Sequence, residues 1–145
     1  MQAAMAWGMG LASVAVIVLG HHAVLRLLAC HVVPRLDRPR PWAVAGILMA
    51  LFAAHVLQAQ GYGLMLMVAA EDLGLGALKG ATTGEVSDYL YFSLVNYTSL
   101  GLGDLRPTEE LRLLAGLETL VGLLMIGWST SFLFANVERL GTEED

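Results

Sequence analysis

The sequence predicts an all-α membrane protein built from three membrane-crossing helices and one short helix that enters the bilayer without crossing it. Three observations lead there. The chain of 145 residues is 57% hydrophobic and 14% charged, against roughly 45–50% and about 25% in soluble domains, so burial must extend beyond a water-exposed globule. The apolar residues gather into three long runs. Between the second and third runs, residues 71–110 are too polar to span and too apolar to be a plain loop.

The runs extend from Ala3 to Ala29, from Trp42 to Ala70 and from Leu111 to Val137, each longer than the roughly 20 residues that cross a bilayer core. The first basic residue, Arg26, follows the first apolar run instead of preceding it, which argues for a retained helix over a cleaved secretory signal. Arg26, Arg35, Arg38 and Arg40 cluster in and before the loop after helix one, and Arg139 follows helix three. By the positive-inside rule that loop and the C-terminus face the cytoplasm and the N-terminus lies outside. Lys79, Arg106 and Arg112 on the other side are diluted by Glu71, Asp72, Glu85, Asp88, Glu109 and Glu110. The expected location is the plasma (inner) membrane, as a multi-pass protein in contact with the lipid bilayer.

Several classes are disfavoured. A net charge of -5 with scattered basic residues leaves no patch that tracks phosphates, so no nucleic-acid partner is expected. No Ser/His/Asp set, cysteine pair or metal-ligand spacing supports catalysis, so neither enzyme activity nor a cofactor is expected. The lone Cys30 has no intrachain disulfide partner. Gly141 to Asp145 reads as a short acidic tail, and with eight residues after Val137 gating is expected not to depend on a soluble regulatory domain.

Residues Glu71 to Gly84 carry the Gly and Thr content of an exposed turn region. Ser87 is then placed to cap a helix over Asp88–Tyr97, which ends directly at Tyr97-Thr98-Ser99-Leu100-Gly101-Leu102-Gly103-Asp104. Irregular backbone at membrane depth is tolerated only when packed in protein or lining a water-filled cavity, which joins the short helix and this loop into one device. Leu73-Gly74-Leu75-Gly76 repeats the same letters without a preceding hydroxyl pair, a following Asp or a leading helix, and reads as a turn.

The aromatic short helix, the Thr98–Asp104 stretch, Pro107 and the glycine-containing apolar helix after it resemble the pore module of the potassium-channel superfamily, whose usual filter reads Thr-Val-Gly-Tyr-Gly-Asp. The resemblance runs from helix two to the end of helix three. It divides the chain into an N-terminal helix with its basic loop (1–41), a pore module (42–140) and the tail (141–145). It implies a homotetramer, because one loop per chain needs four copies to ring an ion. It also implies that carbonyls of Ser99, Leu100, Gly101 and Leu102, with the Ser99 hydroxyl, line a potassium filter bounded by Thr98, Gly103 and Asp104. Gly101 and Gly103 supply backbone with φ > 0, and permeant potassium is the only ion the site is expected to hold. Where relatives carry Tyr, Leu102 lacks a hydroxyl, so Tyr91 and Phe92 are expected to support the filter by apolar packing, and selectivity is expected to be weaker.

In helix three, Glu118 is placed by the resemblance against the pore helix, where a hydrogen bond is favoured over an ion site. Leu124, Gly127, Ser131 and Ala135 recur at spacings of three and four on one face, read as cavity lining. Gly122 and Gly127 are candidates for a gating bend, although close packing is the commoner use of glycine in membrane helices. His22, Arg26 and Cys30 recur every fourth residue, with His21 and His31 beside them and His55 alone in helix two. They read as helix-contact or snorkelling residues in preference to a metal site. Helix one lacks the repeated arginines of a voltage sensor. The functional expectation is a tetrameric, potassium-selective cation channel. The alternatives are a weakly selective monovalent cation channel and, from a different class, a membrane scaffold or subunit without conduction.

Overall fold

A computed structural model describes residues 1–35 and 41–136. Arg38, Arg40, Arg139 and the acidic tail, on which orientation and the tail reading rest, lie outside the described residues. The elements are α1 (Gln2–Leu27), α2 (Pro41–Glu71), β1 (Leu78–Gly80), α3 (Val86–Tyr97), β2 (Leu105–Pro107) and α4 (Leu111–Ala135). After α1 the chain continues through a π turn, Leu28–Val32, and a 3-10 turn, Val33–Arg35. Three helical stretches, Gln2–Arg35, Trp42–Glu71 and Leu111–Ala135, are long and apolar enough to cross a membrane. Their apolar residues are not confined to the packed side: Leu11, Val16 and Leu19 of α1 and Met49, Phe52 and Leu57 of α2 remain exposed, as lipid-facing residues do. The fold is that of an all-α membrane protein.

The short helix α3 packs between α2 and α4, while α1 leans mainly on α4. A groove of about 490 Å³, lined by residues such as Met9, Val16, Leu57 and Met65, runs between α1 and α2. One core cluster sits around Tyr62, Leu66, Leu75, Leu111 and Leu114. A second, at the opposite end, joins Leu25, Leu28 and Val33 to Ile47 and Leu51.

Two expectations are corrected in the loop. Ser87 does not cap α3: the helix begins at Val86 behind Glu85, with no side-chain cap. Asp88 in its first turn reaches back instead, accepting from the backbone N–H groups of Thr83 (2.7 Å) and Gly84 (2.9 Å) and from the Thr82 hydroxyl (2.5 Å). A carboxylate is favoured beside unpaired N–H groups at a helix start. The Thr82 hydroxyl and these amides hold the Asp88 carboxyl below the usual carboxylate range. Nor is the segment after α2 all turn. Its β1 pairs antiparallel with β2, Leu78 opposite Pro107 and Gly80 opposite Leu105. Leu78 and Leu105 are buried, and a side chain at Gly80 would strike the Asp104 carbonyl, so only glycine lets the strands meet there. Leu73–Gly76 is a turn, with φ of 61° at Gly74 and 130° at Gly76.

Candidate functional site: a loop at the end of a buried helix

Helix α3 is held by its polar and aromatic side chains. Phe92 and Tyr97 are buried and Ser93 is fully so, which anchors a three-turn segment that propensity alone would not keep helical. At its C-terminal end the chain folds back on itself. The N–H of Ser99 donates to Asn96 O (2.9 Å), the N–H of Leu100 to Val95 O (3.1 Å), and the Thr98 hydroxyl to Val95 O (3.0 Å). Carbonyls that a helix end leaves unpaired are thereby satisfied.

From there the backbone alternates. Ser99, Gly101 and Gly103 have φ of 60°, 53° and 79°, and neither Leu100 nor Leu102 between them has positive φ. Positive φ at every second residue is a backbone conformation that runs of L-residues avoid, and it leaves the loop neither helix nor strand. Two of the three left-handed positions are glycine, which adopts them at little steric cost. The third, Ser99, was not foreseen. Leu100 and Leu102 are 64% and 60% exposed in the single chain, so the loop presents its residues outward instead of folding them into its own core.

Tyr91 and Phe92 meet the loop differently from each other. Phe92 is buried, as apolar packing requires, but Tyr91 is half-exposed and its hydroxyl donates to Asp104 Oδ2 at 2.8 Å. The expectation of purely apolar support is therefore corrected. Leu102 offers no hydroxyl, and the hydrogen bond between a side chain of the short helix and a side chain of the loop is made at Asp104. That bond raises the Tyr91 phenol above its usual range. A cavity of about 20 Å³ lies between Tyr91, Phe92 and Val95 and residues 101–105.

Glu118 of α4 is fully buried and turned toward α3, where Oε2 accepts from Asn96 Nδ2 at 2.8 Å and Oε1 meets the Ser93 hydroxyl. Asn96 Nδ2 also donates to the Ala115 carbonyl at 2.8 Å, and Ser93 lies against the Ala59 carbonyl. Leu124, Gly127, Ser131 and Ala135 are all exposed in the single chain. Gly122 does not belong with them. It is buried against the end of α3, where a methyl group would collide with the Tyr97 carbonyl, whereas a methyl at Gly127 would meet open space. Gly122 is thus a packing glycine, the close approach that small residues permit between membrane helices.

The histidines divide in a way the sequence did not suggest. His22, Arg26, Cys30 and His31 are exposed, and His22 stacks on Trp128 with centroids 5.8 Å apart. His21 is fully buried, and His55 is not alone. Tyr97 Oη donates to Gln58 Oε1 (2.8 Å) and His55 Nδ1 meets Tyr97 Oη (3.0 Å). His55 Nε2 meets Ser129 Oγ (2.9 Å), Ser129 Oγ meets His21 Nε2 (3.1 Å), and Gln58 Nε2 meets His21 Nδ1 (3.1 Å). The bonds close a ring across all four helices. Among the described residues no group of three or more His, Cys, Asp or Glu side chains could hold a metal ion.

No curated protein and no solved structure matches the chain. A family model described as "Ion channel" does match, over residues 47–139, from within α2 through α3, the loop and α4. That match covers more than half of the chain and coincides with the segment whose residues resemble the pore module of the potassium-channel superfamily: the chain belongs to this ion channel family.

Proposed function

We propose that four copies of the chain surround one pore and conduct monovalent cations, with preference for potassium, through the carbonyls of residues 98–104. The observation that carries this reading is the alternation of positive φ at Ser99, Gly101 and Gly103. A cation that sheds water needs several oxygens at fixed spacing, and carbonyls supply them without burying a charge. The C-terminal end of α3 points its partial negative charge toward the same region, which favours a cation there. Leu124, Gly127, Ser131 and Ala135 then form the wall of the pore below the filter, an arrangement their joint exposure supports. The N-terminus is taken as outside and the Arg35 end of α1 as cytoplasmic, in the plasma (inner) membrane.

The test is ion flux from proteoliposomes containing only this chain, with potassium and sodium gradients compared. Potassium flux exceeding sodium flux, from protein whose purified mass is that of four chains, is the expected result. An assembly of any other size refutes the four-fold pore, and vesicles as tight as protein-free ones leave a non-conducting membrane scaffold as the reading.

A further inference from the structure

The buried ring of His21, Gln58, His55, Tyr97 and Ser129 has a proton inventory that can be worked out from chemistry alone. Gln58 Oε1 only accepts, so Tyr97 must donate its one proton there. His55 Nδ1 must then donate to Tyr97 Oη, which leaves His55 Nε2 as an acceptor for the Ser129 hydroxyl. With its only proton used, Ser129 must accept from His21 Nε2, and His21 Nδ1 is left to accept from the Gln58 amide. Each of the ring's contacts pairs one donor with one acceptor when both imidazoles are neutral and carry their protons on opposite nitrogens. Reversing the Gln58 amide reverses every bond and keeps the tautomers opposite.

The ring has five contacts and five protons to fill them. A sixth proton, on either histidine, places a donor against a donor or drives the Ser129 proton out of the ring. Two added protons would also place like charges on imidazoles whose centroids are 5.0 Å apart. The groups around the ring offer no relief. On α1 the titratable neighbours are His22 and, one turn on, Arg26, both exposed. On α2, two turns from His55, Tyr62 already donates to the Leu114 carbonyl. On α3 the facing group is Tyr97 itself, and on α4, three turns before Ser129, both Glu118 oxygens are engaged by Ser93 and Asn96.

Tyr97 is the last residue of α3 and directly precedes Thr98. Its carbonyl lies against Gly122 and its ring is buried, so the inner end of the loop is mounted on this residue. We propose that the ring is a proton-sensitive mount for that end of the filter: intact, it ties α1, α2 and α4 to Tyr97, and an added proton releases Tyr97 and lowers ion flux. Helix α1, which lies before the matched segment, thereby becomes a working part of the channel through His21. The proposal rests on the conduction reading above, and its test separates the two.

Two measurements on the full chain in bilayers decide it. Nitrogen NMR of histidine-labelled protein at about pH 8 should show His21 and His55 neutral and in opposite tautomers, with Ser129→Ala disturbing both signals. Identical tautomers, or a Ser129→Ala variant that moves neither, overturn the ring. Potassium flux should be steady between about pH 8 and about pH 6 and be lost on further acidification to about pH 4, because the ring takes an added proton only below the ordinary imidazole range. The profile should flatten in Tyr97→Phe and in His21→Gln combined with His55→Gln, although His22 and His31 remain. A flat wild-type profile, or a slope that survives the double variant, overturns the coupling even if the tautomers are as stated. Opposite tautomers with no flux at any pH would sink the conduction reading and the coupling together, leaving the ring as a structural joint.

Discussion

Replacing Glu118 by leucine removes the one carboxylate buried within α4, and the contacts around it set the size of the effect. Asn96 Nδ2 has two protons, one on Glu118 Oε2 at 2.8 Å and one on the Ala115 carbonyl at 2.8 Å. The Ser93 hydroxyl lies against Ala59 O as well as Glu118. Leucine therefore leaves Ser93 with an acceptor and orphans a single Asn96 N–H, which costs about 1–3 kcal/mol. Breaking a buried ion pair would cost about 3–5 kcal/mol, but the partners here are a hydroxyl and an amide. Glutamine offers a carbonyl to Asn96 and an amide N–H to Ser93, and should fall within about 1 kcal/mol of wild type. Thermal unfolding of the purified protein reads this as a shift of about 2–4 °C per kcal/mol. A glutamine variant as damaged as the leucine one would show that the carboxyl group itself, and not an acceptor for Asn96, holds the contact. A leucine variant melting with wild type would show that the α3–α4 contact is idle.

Gly101 sits at φ 53°, where an L-residue costs about 1–2 kcal/mol and its carbonyl is displaced. Gly101→Ala should abolish potassium flux, while Leu102→Tyr should leave the potassium-to-sodium ratio equal or higher; reversal potentials measure both, and a conducting Gly101→Ala channel rules out this loop as the filter. Gly122→Ala drives a methyl into the Tyr97 carbonyl and should cost about 1–3 kcal/mol in unfolding midpoint, with Gly127→Ala, in open space, as the neutral comparison. Asp88 has a depressed carboxyl, so its hold on residues 82–84 is present above the usual carboxylate range and is lost as pH falls through its lowered value. Asp88→Ala should accelerate amide exchange at Thr83 and Gly84 near neutral pH, and unchanged exchange would show that the loop is held by other contacts.

The spanning helices were legible because a bilayer demands a length and a composition that few other structures need, and α4 begins at the predicted residue, Leu111. The glycines of the loop were legible for a similar reason, since positive φ has a preferred residue. Ser99 was not, because a serine there is paid for by its surroundings and leaves no mark in its own identity. The β1–β2 pair was missed because three residues per strand are too few to show a period. The buried ring was hidden for a different reason. Its members stand singly on four helices, and nothing local connects His21 to Ser129 across 108 positions. The four-residue recurrence of His22, Arg26 and Cys30 pointed to the wrong face of α1, the exposed one. One available signal was that polar side chains within apolar spans seldom stay unpaired, and Gln58, His55, Ser129 and His21 all stand within such spans.

The pairing of Leu78–Gly80 with Leu105–Pro107 has a consequence for how the chain tolerates change. These two strands act as a clasp at the neck of an excursion that contains α3 and the whole of residues 98–104. Inside the clasp, the path from Gly80 to Leu105 is pinned at both ends, by the Gly80–Leu105 rung and by the Ala81 N–H on the Asp104 carbonyl at 3.1 Å. An inserted residue there has no slack to enter and must shift α3 or the loop against the other. Before the clasp, a residue inserted near Asp72 only lengthens the approach, at an entropic cost that grows slowly with length. Natural length variation in chains of this design should therefore collect between α2 and β1 and stay out of the enclosed segment.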